Sequence, residues 1–138
     1  MLDDLTNLQA LLKDSTLLAP KGYIAGEWCD GENGQTFPVY NPARGDVITD
    51  VADISRTQAA EAISISEKAQ KLWAARPAKE RSNLLRKWYN LMMENQEDLA
   101  IILTAEQGKP LEEAKGEIAY GASSVSYTHL TLPTILLV

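Results

Sequence analysis

The chain has 138 residues, 45% of them apolar and 23% charged, with a net charge of −6 and an isoelectric point near 4.8. This is the size of one ordinary domain and the composition of a globular soluble protein. The acidic balance argues against a nucleic-acid or anionic-membrane surface as the main business, and no run of about 18 apolar residues exists to span a membrane.

The basic residues Lys79, Arg81, Arg86 and Lys87 cluster, but Glu80, Glu94, Glu97 and Asp98 lie close by. That mixture reads as the wet face of an amphipathic helix. A single cysteine rules out an internal disulfide and fits a reducing compartment. Met1 to Leu5 has neither the basic nor the apolar stretch of a secretory signal, and no arginine precedes Arg44, as one would in a transit peptide. Cytoplasm is the expected compartment.

In chain order, Leu5, Leu8, Leu11 and Leu12 share one side of a short helix expected over Asp3 to Lys13, capped by Asp3 or Asp4. Pro20, Lys21 and Gly22 break it. Tyr23 to Cys29 reads as a strand, Asp30 to Gly34 as a turn in which Asn33-Gly34 signals a hairpin, and Thr36 to Tyr40 as the return strand. A second turn over Asn41 to Asp46 leads to a third strand, Val47 to Ala52. The three are expected to form one small antiparallel unit. Gly31, Gly34 and Gly45 join strand to strand. No Gly-x-Gly-x-x-Gly or Gly-Lys-[Ser/Thr] occurs, so they read as turn chemistry and not as a phosphate loop.

Ser55 opens a long helix with Gln58 as its capping-box partner. Ala59, Ala62, Ile63, Ala69, Leu72 and Trp73 make its expected buried stripe, and Arg76-Pro77 ends it. Leu84, Leu85, Trp88, Leu91 and Met92 repeat as one broad apolar face of the next helix, over about 78–94. Trp88 and Met92 can be read as a ligand wall; a stripe at helical spacing is more often core. Leu99, Ile102, Leu103 and Glu106 then stand at helical spacing over Gln96 to Gln107. Gly108 suits the left-handed residue that ends a helix, with Lys109 beside the last free carbonyls. Pro110 has its φ preset for the first turn of another helix, where Glu112 and Glu113 meet the positive end of the dipole. That helix, Leu111 to about Ser123, carries Ala114, Gly116, Ala119, Gly121 and Ala122, small residues that allow close backbone approach. No neighbour for it is evident in the chain.

Ala105 to Tyr120, read with Tyr23 to Trp28, Tyr40 to Asp46 and Leu84 to Glu94, resembles the NAD(P)-dependent aldehyde dehydrogenases. Within them it is most similar to the enzymes for succinate and glutarate semialdehyde. The resemblance runs from about Lys21 to about Ser124. It implies an α/β fold class: the N-terminal part of a Rossmann-like cofactor-binding domain, with a small antiparallel β unit followed by four helices. For the intact parent it implies oxidation of a small-molecule aldehyde with NADP or NAD, no nucleic acid, no membrane, and a homo-oligomer. Residues 1–20 are then an N-terminal helical extension and 21–124 the N-terminal portion of the dehydrogenase domain.

Residues 125–138 read as a foreign tail. Ser126 to Val138 carries no formal charge and resembles the conceptual translation of a sequencing adapter. Thr128, Thr131, Thr134 and Pro133 are poor helix residues, so Tyr127 to Val138 is expected not to continue the preceding helix.

Aldehyde oxidation of this kind needs a thiolate to attack the carbonyl, an oxyanion donor, a nicotinamide to take the hydride and a base to activate water. In the resembled family all of these lie downstream of this chain, so the resemblance places no catalytic, cofactor-binding or metal residue on it. Cys29, the one thiol, has no histidine or basic neighbour in sequence to favour its thiolate and reads as structural. His129, the one histidine, falls in the tail. Glu106, Glu112, Glu113 and Glu117 lie near one another, and Glu113 and Glu117 share a helix face. Paired acids do acid–base work when their surroundings split their pKa values; acids in a helix's first turns are more often dipole partners and solvated surface. Two functions follow: a dehydrogenase fragment without activity of its own, or a non-catalytic α+β module whose helices bind a protein partner. The long ordered match favours the first.

Overall fold

Among the described residues, four short strands precede four long helices, and one turn of helix precedes the strands. The computed structural model describes the backbone over residues 8–135 and side chains over residues 8–126. The first turn, α1 (Leu8–Leu11), ends two residues short of the end of the helix expected over Asp3 to Lys13; the first five positions of that expected helix lie outside the described residues. A 3-10 turn at Ser15–Leu17 follows, with the Asp14 carboxylate accepting from the Thr16 N–H at 3.0 Å.

The strands correct the expected three-stranded unit. Tyr23 to Cys29 is not one strand but a hairpin, β1 (Gly22–Ile24) against β2 (Glu27–Cys29), with Tyr23 opposite Trp28. Ala25 and Gly26 make its turn at φ 57° and 88°, the paired left-handed values that match the twist of the strands. Alanine seldom takes that backbone, so the turn leaves no signal in the sequence. Asn33-Gly34 does turn, at φ 56° and 72°. It does so within a 3-10 turn (Glu32–Gly34) between β2 and β3, which do not pair. The second sheet is β3 (Thr36–Tyr40) against β4 (Val47–Ala52). Its turn is the expected one: Asn41 Oδ1 accepts from the Ala43 N–H at 2.9 Å, and the Gly45 N–H donates to the Asn41 carbonyl at 2.7 Å. Backbone bonds of 2.9 Å from Ala52 N–H to Pro20 O and from Asp53 N–H to Gln35 O tie the second sheet to the chain around the first.

The helices α2 (Arg56–Ala75), α3 (Ala78–Glu94) and α4 (Gln96–Gln107) fall where the spacing predicts. The capping box is formed: Ser55 Oγ accepts from the Gln58 N–H at 3.2 Å and Gln58 Oε1 accepts from the Ser55 N–H at 3.0 Å. The same Oε1 accepts from the Glu32 N–H at 3.1 Å, and Gln58 Nε2 donates to the Asp30 carbonyl at 3.0 Å. One amide thus ties the start of α2 to the loop after β2. Gln58→Ala is therefore expected to cost about 1–2 kcal/mol of stability, against about 1 kcal/mol for Ser55→Ala. Urea midpoints at constant slope measure both; equal losses would mean that the two bonds to the loop contribute nothing. At the other end of α2, the Arg81 guanidinium donates to the Ala74 and Arg76 carbonyls. It closes the corner between α2 and α3 and is no part of a free basic face.

The last helix, α5 (Leu111–Ile135), overturns two expectations. It runs past Ser123 and through Pro133, where Tyr127 onward was expected to leave the helix; residues 136–138 lie outside the described residues. Once a helix is nucleated each further residue adds a backbone bond, and the propensity penalty of a serine or threonine is small beside that gain. A 25-residue helix tolerates them, together with the one donor that proline lacks. Nor is α5 without a neighbour. It packs on α3 and α4, with Ala114 and Ala122 fully buried and Gln96 Nε2 donating to the Lys115 carbonyl at 2.9 Å.

The core is small. Leu8, Leu12, Ile101 and Ala105 pack together, ringed by Leu18, Ile48, Ile102 and Leu111. The stripe expected to bury α2 is open: Ile63 is 71% and Leu72 75% exposed. On α3 the broad face divides. Leu85 and Met92 are half-buried, whereas Leu84, Trp88 and Leu91 are exposed. The apolar period marks the helices correctly, but burial also needs a facing surface, and α2 packs extensively on no other element among the described residues.

Candidate functional site

Chemistry-bearing side chains gather in two places. The first is the corner between α4 and α5. Gly108 ends α4 at φ 71°, its N–H donating to the Thr104 carbonyl at 2.9 Å, and the Ala114 N–H donates to the Pro110 carbonyl at 3.0 Å as α5 begins. Lys109 does not sit on the last carbonyls of α4, as expected; its ammonium pairs with Glu117, two turns along α5. A nearby carboxylate outcompetes carbonyl dipoles for an ammonium. Lys115 bridges Glu97 at 3.0 Å and Glu112 at 3.1 Å, and its hydrogen bonds to Glu97 and then Glu112 raise its pKa above the ordinary lysine value.

Glu112 and Glu117 are therefore occupied by lysines, and Glu113 is exposed in the first turn of α5. Glu106, near the end of α4, has its carboxyl pKa raised by partial desolvation. Glu113 and Glu117 share a face, but the partner of Glu117 is Lys109. The corner braces α4 against α5 and brings no nucleophile to its acids.

The second place is a cleft of about 230 Å³ between the β1–β2 hairpin and α2, whose lining includes Ile24, Glu27, Trp28, Cys29, Gln58 and Glu61. Cys29 Sγ donates across the hairpin to the Gly22 carbonyl at 3.4 Å, and the ring of Trp28, which lines the cleft, stands 4.9 Å from that of Tyr23. The acids Glu27 and Glu61 line the same cleft as the thiol. His129 lies beyond the described side chains. Among the described residues no three His, Cys, Asp or Glu side chains form a group able to hold a metal, and no helix is long and apolar enough to cross a membrane.

The residues present do not form a dinucleotide cradle. Such a cradle needs a glycine-rich passage from strand to helix N-terminus. The one such passage among the described residues, from β4 into α2, runs through Asp53, Ile54 and Ser55, and its N-terminus is closed by Ser55 Oγ.

One buried polar residue escaped sequence reasoning. Asp98 is only 3% exposed, and its oxygens accept from the backbone N–H groups of Lys13 at 3.1 Å and Asp14 at 2.8 Å. Those partners are more than 80 residues away in sequence. Its only local signal is an acid directly before the apolar run Leu99 to Leu103.

Residues 28–135 match the sequence pattern of the aldehyde dehydrogenase family. The chain belongs to that family. A glutarate-semialdehyde dehydrogenase of Pseudomonas putida is 53% identical over 116 residues, which are 84% of this chain and 24% of that enzyme. An NADP(+) succinate-semialdehyde dehydrogenase of Escherichia coli is 47% identical over the same length and the same shares. The crystal structure of an NADP-dependent enzyme of Escherichia coli superposes with a TM-score of 0.83 at 47% identity, over 86% of this chain and 24% of that one. The chain thus spans about a quarter of the length of the relatives it matches. Its paired strands and following helices match the N-terminal part of the aldehyde dehydrogenase fold.

Proposed function

We propose that this chain is the N-terminal portion of a dehydrogenase that oxidises succinate or glutarate semialdehyde to the dicarboxylate with NAD or NADP. The single observation carrying this reading is the 53% identity over 116 residues to the Pseudomonas putida enzyme. Both semialdehydes are short aldehydes that end in a carboxylate, so the substrate class is a small aldehyde with an anionic far end. The open apolar residues Ile63, Leu72, Leu84, Trp88 and Leu91 support a parent in which further chain covers α2 and α3. Each such side chain contributes about 1.5–3 kcal/mol when fully buried. A cytoplasmic homo-oligomer completes the proposal for the parent. An antibody raised against this chain is expected to detect in source cells a protein between three and four times its 15.2 kDa mass. A band at the mass of this chain alone would contradict the reading.

Residues 125–138 we hold foreign to that parent, on the uncharged run from Ser126 to Val138; the family match, in contrast, reaches residue 135. Deletion after Ser124 decides between them. A foreign tail ending in Ile135 to Val138 is an aggregation hazard, so its removal is expected to leave the melting temperature unchanged and to improve solubility. A native tail would bury apolar side chains at about 1.5–3 kcal/mol each, and its removal would lower the melting temperature clearly.

A further inference from the structure

We infer that residues Leu8–Leu18 form a strap hooked onto α4 by the Asp98 carboxylate, and that this strap opens as a unit of its own before the helices unfold. Asp98 is the third residue of α4, where the positive end of the helix favours an anion. It is buried, and a buried carboxylate is costly unless its oxygens are bonded. Each oxygen has one strap donor: Oδ1 takes the Lys13 N–H and Oδ2 the Asp14 N–H. Such charge-assisted bonds are the strong kind.

The same face of α4 continues with Ile101 and Ala105, three and seven residues on, and these receive Leu8 and Leu12 from the strap. The face is therefore a hook followed by an apolar pad. Within the strap the backbone bonds are local: Leu12 to Gln9, Leu17 to Asp14 and Leu18 to Ser15. Among the described residues, the hydrogen bonds from Lys13–Leu18 to the rest of the chain are the two to Asp98. The three-residue 3-10 turn does not persist in water alone. Docking on α4, through the Asp98 bonds and the apolar pad together, is what orders the strap. Opening it bares Ile101 and Ala105.

Native-state hydrogen exchange on the full 138-residue chain tests this. In the unaltered protein the Lys13 and Asp14 amides are expected to exchange together, through an opening easier than the one that exposes Ala105 in α4 and Ile118 in α5. Asp98→Asn keeps the size but turns an N–H donor toward one of the strap amides. It should lower protection at Lys13 and Asp14 by about tenfold to a hundredfold while Ala105 and Ile118 stay protected. Glu97→Gln removes a negative charge from the same helix turn without touching the strap and should leave Lys13 and Asp14 unchanged, which separates the hook from the helix dipole. The proposal is overturned if Lys13 and Asp14 in the unaltered protein exchange in step with Ala105 and Ile118. It is equally overturned if Asp98→Asn leaves the strap protected or lowers all four amides alike. Should Asp98→Asn not fold, the measurement on the unaltered protein still decides.

Discussion

Purified as the 138-residue chain and given succinate or glutarate semialdehyde, this protein is expected to reduce neither NAD+ nor NADP+. The groups that make a thiohemiacetal, hold its oxyanion and activate water act as a unit, and losing one alone costs orders of magnitude in rate. The thiol available, Cys29, sits in β2 with its proton directed to the Gly22 carbonyl and with Glu27 and Glu61 as its charged neighbours in the cleft. The acids of the α4–α5 corner are taken up by Lys109 and Lys115 or stand open at the surface. Absorbance at the reduced nicotinamide band is the measurement. Steady cofactor reduction that disappears in Cys29→Ser would make Cys29 a nucleophile and refute the expectation.

Gly31→Ala is expected to destabilise the chain by roughly 3 kcal/mol or more, at the upper end of overpacking costs. The backbone of Gly31 is ordinary, with φ −59°, so the demand for glycine comes from space. A Cβ there would stand 2.9 Å from the Asp53 nitrogen and closer still to the carbonyl oxygens of Gln35 and Asp53. Asp53 N–H and Gln35 O are the two ends of the 2.9 Å bond that ties the segment after β4 to the one before β3, and backbone atoms cannot rotate aside. Gly45 is the contrast. It sits at φ 79° with nothing near its Cβ position, so alanine there meets only the left-handed penalty, about 1–2 kcal/mol. Urea melts of both variants should give a clearly larger loss for Gly31→Ala. Equal losses would mean that the close approach does not exist in solution.

Much of this fold was legible because its signals are local. The capping box of Ser55 and Gln58, the left-handed Gly108 and the apolar periods that mark α2 to α4 as helices each lie within a few residues of one another, and the structure forms the box, the left-handed end and the three helices as expected. Signals that depend on distant chain were not legible. Ala25-Gly26 turns a hairpin although alanine rarely takes that backbone, because Tyr23 and Trp28 pair across it. Which side of a helix is buried depends on what lies opposite, and so the stripe through Ile63 and Leu72 is open while Ala114 and Ala122 are covered. Asp98 looked like one acid among several until the fold brought Lys13 and Asp14 to it.

The candidate site shows the same division. The sequence puts Glu27 and Asp30 beside Cys29, and the cleft adds Glu61 to that charged company. The pairing of Lys109 with Glu117 follows helical geometry, since Glu117 lies two turns beyond the start of α5. The bridge from Lys115 to Glu97 crosses between helices and had no counterpart in the sequence pattern. The substrate preference rests on resemblance alone.

The most direct measurement is the aldehyde preference of the intact parent, expressed from the reading frame extended beyond Ser124. Its kcat/KM for succinate and glutarate semialdehyde, measured with NAD+ and with NADP+, is expected to exceed that for betaine aldehyde and for an aromatic aldehyde. Preference for either of the last two, or an extended frame that yields no oxidation of any aldehyde, would contradict the assignment.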